Sequence, residues 1–237
     1  MGIDVFPDYI LQIRELTLDK ASKVGFDSLA SARYDFNIKK HIITVANQIV
    51  TLQSDYVIFH ELTHILDEET YCRGDKIKYL ANSGYTEYHA SQVGMMKLIG
   101  AISIGTPCRF SMSDYIETFS GVKSIREFIN APYSHAVAML EREDFPADIE
   151  ALKITIGLLF NYWGRQSICK LYAYDFNDVE DNADLSAFSE LFVKVGEDPI
   201  AHWKMFLNGW LNKGQVALVD HIYQYEIVSL AKKFDLK

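Results

Sequence analysis

Val57-Ile58-Phe59-His60-Glu61-Leu62-Thr63-His64-Ile65-Leu66-Asp67 is the stretch on which the rest of the chain depends. Each residue of an α-helix advances about 100°, so His60 and His64 stand about 40° apart with Glu61 on the same flank. Two imidazoles and a carboxylate therefore share one face. The opposite flank carries Ile58, Phe59, Leu62 and Leu66, an apolar stripe expected to bury the helix and leave the polar triad over a cleft.

Such a face suits Zn2+. Neutral imidazole binds zinc at about 2.0–2.1 Å, and two histidines four residues apart converge on one ion. A catalytic zinc keeps one position open for water, lowers that water's pKa to about 7, and needs a nearby base that is not a ligand. Glu61 is placed for that role, as general base on the zinc-bound water. A pair of satisfied structural histidines is the plain alternative.

His60 and His64 supply half a coordination sphere, so a third protein ligand is expected downstream. Tyr85-Thr86-Glu87-Tyr88-His89-Ala90-Ser91 offers two, Glu87 and His89. Read as a helix over residues 84–103, this segment sets Glu87, Ala90, Ser91 and Gly94 on one face and turns His89 about 160° away. Small residues on the Glu87 face let the two helices approach closely and bring its carboxylate to the ion. Glu87 is the favoured ligand and His89 the alternative. Asp67, one turn after His64, is a candidate to orient an imidazole from outside. Tyr79, Tyr85 and His135 are candidates to stabilise a developing oxyanion, against a structural role for each.

The chain has 237 residues, 49% of them hydrophobic, enough for a large interior without staples. A net charge of −9 and the lack of a basic stripe speak against nucleic-acid binding. Cys72, Cys108 and Cys169 stand apart without paired spacing, so neither a disulfide framework nor a cysteine metal site is signalled. No run reaches about 18 apolar residues, and Met1 to Asp8 show no basic segment ahead of an apolar one. Neither membrane spanning nor export is expected, and a cytoplasmic location is the simplest reading; secretion is the alternative if an export signal has been removed.

In chain order, Pro7 reads as the start of a helix with Ile10, Leu11, Ile13 and Leu18 as its apolar positions and Gly25 as its stop. Tyr34, Phe36 and Ile38 alternate with polar neighbours, Asn37 to His41 offers a turn, and Ile42-Ile43-Thr44-Val45 is β-branched throughout, which predicts a hairpin. Ser54 or Asp55 can cap the histidine helix. Residues 69–83 lose periodicity and read as a loop or broken helix forming one wall of a cleft.

The second half reads as almost wholly helical: a capping box at Ser124-Ile125-Arg126-Glu127, a long apolar segment from Phe145-Pro146 through Trp163, a helix ending near Val195 before Gly196, a cap at Asp198-Pro199, and a last helix from about Gln215 to Lys233. Asp175, Asp178, Glu180, Asp181 and Asp184 lack the glycine and closing glutamate of a calcium loop and read as a solvated loop. Phe160, Tyr162, Trp163, Trp203, Phe206 and Trp210 recur at helical spacing and read as core. His41, His202 and His221 belong to no spacing pattern.

His60-Glu61-Leu62-Thr63-His64 followed by Glu87-Tyr88-His89-Ala90 resembles the gluzincin pattern, in which a downstream helix supplies a glutamate with a small residue one turn later. More narrowly, a strand, a helix entered through Val57-Ile58-Phe59 and the Glu-x-x-Ala stretch resemble the ImmA/IrrE-type metallopeptidases, over roughly residues 30–103. Ser91 stands where that family usually has Asn or Asp. A second resemblance is to toxin metallopeptidases of the anthrax lethal-factor kind, which often have an aspartate where Asp67 stands. Both imply His60, His64 and Glu87 on zinc and Glu61 as base, and the first suggests cleavage of a regulatory protein.

The expected class is therefore α+β: a zincin-like core over residues 1–105, with a small β-sheet, a metal-binding helix and a glutamate helix. A helical subdomain over 106–237 packs on it, with a soft boundary near Thr106-Pro107. The expected function is zinc-dependent hydrolysis of a protein or peptide substrate, with neither nucleic acid nor membrane as partner. The alternative is an inactive protein of the same fold that binds or regulates, with a structural or empty metal site.

Overall fold

Ile42-Ile43-Thr44-Val45 forms the centre of a three-stranded sheet, where β-branched side chains pack on a pleated, half-buried surface. The computed structural model describes residues 5–15, 29–47, 54–103, 108–118, 121–178, 180–181 and 209–235. The strands are β1 (Tyr9–Arg14), β2 (Ala30–Asp35) and β3 (Lys40–Ala46), in the order β1-β3-β2. β2 and β3 make the expected antiparallel hairpin, with Ala32 opposite Ile43 and Tyr34 opposite His41. Its turn is held by Asp35 Oδ1, which accepts the backbone N–H groups of Asn37 at 2.9 Å and Ile38 at 3.3 Å.

The helix expected after Pro7 is a correction: Tyr9–Arg14 is strand β1, parallel to β3. Tyr9, Leu11 and Ile13 alternate with Ile10, Gln12 and Arg14, a period of two that the free edge of β3 selects over the helical reading. Leu18 and the Gly25 stop lie outside the described residues, as do the boundary at Thr106-Pro107, Gly196, Asp198-Pro199, His202, Trp203 and Phe206.

α1 (Asp55–Asp67) carries the two histidines. Ser54 occupies its N-cap position, without a side-chain capping bond. The apolar stripe is only partly buried: Phe59 is exposed beneath Lys97 Nζ, 4.9 Å from its ring centroid, while Ile65 is the α1 side chain sunk against Ile43 and Val45 of the sheet. Glu68–Cys72 continues as one π-helical turn, which ends at Arg73 and Gly74 with φ of 50° and 73°. Asp75 then caps α2 (Lys76–Leu98) by accepting the N–H groups of Ile77 and Lys78. The 69–83 segment is thus a broken helix, and the glutamate helix begins at Lys76 rather than at 84.

β4 (Tyr115–Thr118) and β5 (Gly121–Ser124) form a short hairpin inside the half expected to be almost all helix. The Ser124 capping box is present and opens α3 (Ile125–Leu140). α4 (Ile149–Tyr172) starts at an Asp148 cap, and α5 (Lys213–Lys233) at an Asn212 capping box. Tyr85 and Tyr88 of α2 share one apolar cluster with Leu159 and Phe160 of α4 and Val219 and Tyr223 of α5. The class is α+β, and no described helix is long and apolar enough to cross a membrane.

Two glycines set how closely α2 is approached. A methyl on Gly94 would lie 3.2 Å from the Tyr56 carbonyl oxygen and 3.6 Å from His60 Cβ, so α1 rests almost directly on this turn of α2. A methyl on Gly164 would overlap the Tyr88 carbonyl and lie 2.9 Å from Ser91 Cβ, so α4 touches the other side backbone to backbone.

Asp175, Asp178 and Glu180 are exposed, as expected of a solvated loop, and Asp181 is the buried exception among the described residues of the acidic run. Asp175 accepts from Ser111 Oγ at 2.6 Å and from the Met112 N–H at 2.8 Å, Asp181 is buried and accepts from Arg126 Nε at 2.6 Å, and Asp178 pairs with Lys170. Asp184 lies outside the described residues. Phe160, Tyr162 and Trp163 are buried as expected, and Trp210 packs partly buried against a second cluster around Met95 and Ile129.

Candidate metal centre

α1 and α2 cross so that the face bearing His60 and His64 meets the face bearing Glu87. The two imidazole centroids are 4.8 Å apart and nearly perpendicular. Glu87 Oε2 lies 3.6 Å from His60 Nε2, and Glu87 Oε1 lies 3.9 Å from His64 Nε2. One donor atom from each residue falls within 4.8 Å of the others. Donors at about 2.0–2.1 Å from a tetrahedral zinc lie roughly 3.4 Å from one another, so this set fits such an ion with small adjustments.

Two of the three donors are held from outside the triad. His64 Nδ1 hydrogen-bonds to Thr86 Oγ1 at 2.8 Å, which turns Nε2 toward Glu87. Asn161 of α4 donates its amide to Glu87 Oε2 at 3.0 Å, and Ser91 Oγ donates in turn to Asn161 Oδ1. Burial lowers the His64 imidazole to about 4, and His60 and His89 add to this against Glu87, so His64 is neutral at pH 7. Burial also pulls His60 down, but the hydrogen bond to Glu87 and the charges of Glu61 and Glu87 outweigh it and leave it raised. For Glu87 the burial that would raise its carboxyl is overruled by His64, His60 and Asn161, and it sits at about 2, ionised.

Glu61 stands beside this triad without joining it. Its side chain is 6% exposed, and burial, reinforced by the Glu87 charge, raises its carboxyl to about 7 against the pull of His60 and the Ala32 N–H. That N–H comes from the outer edge of β2. The Ala46 N–H donates to the Leu29 carbonyl at 2.8 Å, which by alternation turns the backbone groups of Ala30, Ala32 and Tyr34 away from β3. A cleft of about 620 Å³ runs between this edge, the triad and the α3–α4 wall.

The structure brings Glu87 to the histidines and turns His89 away. His89 Nδ1 is 2.8 Å from Asp67 Oδ1 in a buried pair, with Tyr85 stacked on the imidazole at 5.5 Å. Asp67 therefore orients the His89 imidazole directly and reaches the triad through Thr86, whose hydroxyl hydrogen-bonds to Asp67 and to His64 Nδ1. Tyr85 is buried in the core, away from the cleft. Tyr79 and His135 line the cleft, and the Tyr79 hydroxyl takes the Tyr34 N–H. His41 is buried between Glu68 and Glu69, and His221 is exposed.

Asn161 and Arg165 were not singled out by sequence reasoning. Their signal was weak but present: two polar residues one turn apart in the apolar segment Leu158-Leu159-Phe160-Asn161-Tyr162-Trp163-Gly164-Arg165. Compared with protein-family models, curated proteins and solved structures, the chain matches none of them. The functional reading therefore rests on the site itself.

Proposed function

We propose that the protein is a zinc-dependent metallopeptidase of gluzincin type, with His60, His64 and Glu87 as zinc ligands, Glu61 as general base and a zincin-like core around them. The observation that carries this is the convergence of three donors within 4.8 Å of one another, beside a buried carboxylate, on the floor of a cleft. A bound zinc supplies Lewis acidity, polarising a carbonyl oxygen and making water acidic enough to lose a proton near pH 7.

Glu61 takes a proton from the attacking water, whose oxygen bonds to the peptide carbonyl carbon, and delivers a proton to the amine nitrogen as the C–N bond breaks. Burial, which raises this carboxyl, suits it to take up a proton and hand it on. The outward carbonyls of Ala30 and Ala32 offer an extended peptide a strand edge to pair with, which lays its backbone across the triad. Thr86 and Asn161 hold two of the ligands in place, so little reorganisation is needed on binding.

Elemental analysis combined with a Glu61→Gln variant tests the reading. The expected result is one zinc per chain in both proteins, loss of zinc in His64→Ala and Glu87→Ala, and a fall in peptide hydrolysis of at least 100-fold in Glu61→Gln. Protein that takes up no zinc, or a Glu61→Gln variant of full activity, overturns it.

A further inference from the structure

The wall of the cleft facing the triad differs from the rest of this acidic chain. It is built from β4, β5, α3 and α4, and its lining residues include Lys123, His135 and Arg165 but no carboxylate, whereas the opposite wall carries Glu61, Glu68 and Glu87 together with Arg33. Arg165 stands one helical turn beyond Asn161 on the same face of α4, so the residue that steadies Glu87 and the guanidinium are neighbours along one ridge.

The Arg165 side chain is fixed from below. Its Nη1 donates to the Phe128 carbonyl at 2.8 Å, and its Cζ lies 4.0 Å from the centroid of the Phe128 ring. Among the described residues it forms no ion pair, and its remaining N–H donors meet no acceptor. Burial pulls the guanidinium down to about 10, against the opposing effects of Tyr56 and Cys169, which is how a cation responds to desolvation without an adjacent anion. Its charge reaches both His60 and His135, whose imidazole is lowered first by burial and then by Lys123 and Arg165. A planar, pre-oriented fork of donors beside a reaction centre is the geometry that takes a carboxylate in two parallel hydrogen bonds.

We propose that Arg165 is a carboxylate anchor, supported by Lys123, which selects peptides carrying a negative charge within one or two residues of the bond to be cut. The selection rests on the metallopeptidase reading, but binding at the anchor does not require turnover. The carboxylate has two sources, an acidic side chain or the peptide's own carboxyl terminus, and both present the same pair of oxygens.

The test uses internally quenched peptides of one neutral background with Glu, Gln or Lys at each position flanking the scissile bond, and the Gln series ending as free acid or as amide. Wild-type protein is expected to cleave and to bind the Glu or free-acid peptide at least 10-fold better than its neutral twin. The Glu series and the free-acid series tell which source is used. Arg165→Gln is expected to reduce that preference to under 3-fold, and Arg165→Lys, which keeps charge and stem if the glutamine variant fails to fold, to retain an intermediate preference. Equal binding of charged and neutral peptides by wild-type protein, or an undiminished preference in a folded Arg165→Gln protein, overturns the anchor. Charge-dependent binding that Arg165→Gln abolishes, with no cleavage of any peptide, upholds the anchor and overturns the peptidase reading instead.

Discussion

Asn161 donates its side-chain amide to Glu87 Oε2 at 3.0 Å, so a helix far along the chain from the His-Glu-x-x-His segment holds the third donor of the candidate site. The amide is fixed in turn by Ser91 Oγ. Ligand-orienting contacts of this kind are typically worth 10–100-fold in metal affinity. Asn161→Ala is expected to weaken zinc binding by roughly 10-fold or more, and Asn161→Leu, which also removes the amide donor, to weaken it by a similar factor. Competition against a chromophoric chelator measures both; affinities within twofold of wild type would remove Asn161 from the support of the site.

His89 and Glu87 were rivals for one role in the sequence, and the structure gives them different ones. His89 is buried with Asp67 at 2.8 Å, and removing one partner of a buried pair leaves the other uncompensated at a cost of about 3–5 kcal/mol. His89→Ala is expected to lower the melting temperature by several degrees while keeping one zinc per chain, whereas Glu87→Ala loses the metal. A His89→Ala protein that is folded but metal-free would place His89 in the coordination sphere.

Asp220 gives a pH dependence remote from the candidate site. Burial raises its carboxyl to about 6, with Asp67 adding to this and the Asn82 amide, donating at 3.0 Å, opposing it. The folded protein therefore holds the proton more tightly than the unfolded chain, whose aspartate titrates near 3.9. That contribution is complete below pH about 4 and is lost as pH rises through about 6. Asp220→Asn, which keeps an oxygen for Asn82, is expected to match wild type at pH 4 and to exceed it by roughly 1 kcal/mol at pH 7, a few degrees of melting temperature, after allowance for partial exposure. Thermal melts with chelator at both pH values check the crossing; a constant difference would mean Asp220 does not titrate in that window.

The histidine spacing, the Glu87 face and the hairpin were legible because each is a local pattern: four residues for one turn, small residues on one flank, β-branched alternation. Where the reading went astray, the deciding partner was distant. Tyr9–Arg14 is a strand because β3 has a free edge. Phe59 stays exposed because the side of α1 turned to the sheet is the one bearing Ile65. Asp181 is a buried brace rather than part of a solvated loop because Arg126 reaches it across more than fifty residues of chain. Asn161 and Arg165 belong to this second kind, since neither has a sequence neighbour that betrays what it touches.

Gly164 tests whether the approach of α4 to α2 holds the site together. Its Cα faces the Tyr88 carbonyl and Ser91, so an added methyl meets backbone rather than a yielding side chain. Gly164→Ala gains helix propensity of about 0.8–1.0 kcal/mol. Overpacking of this kind costs about 1–3 kcal/mol, and here the obstacle is a carbonyl, so the loss should win. The shift that relieves the overlap also moves Asn161, three residues earlier on α4, away from Glu87. The expected outcome is a lower melting temperature together with weaker zinc binding, read by calorimetry and by chelator competition on the same preparation. A variant more stable than wild type with unchanged zinc affinity would show that α4 can withdraw without disturbing the carboxylate it steadies.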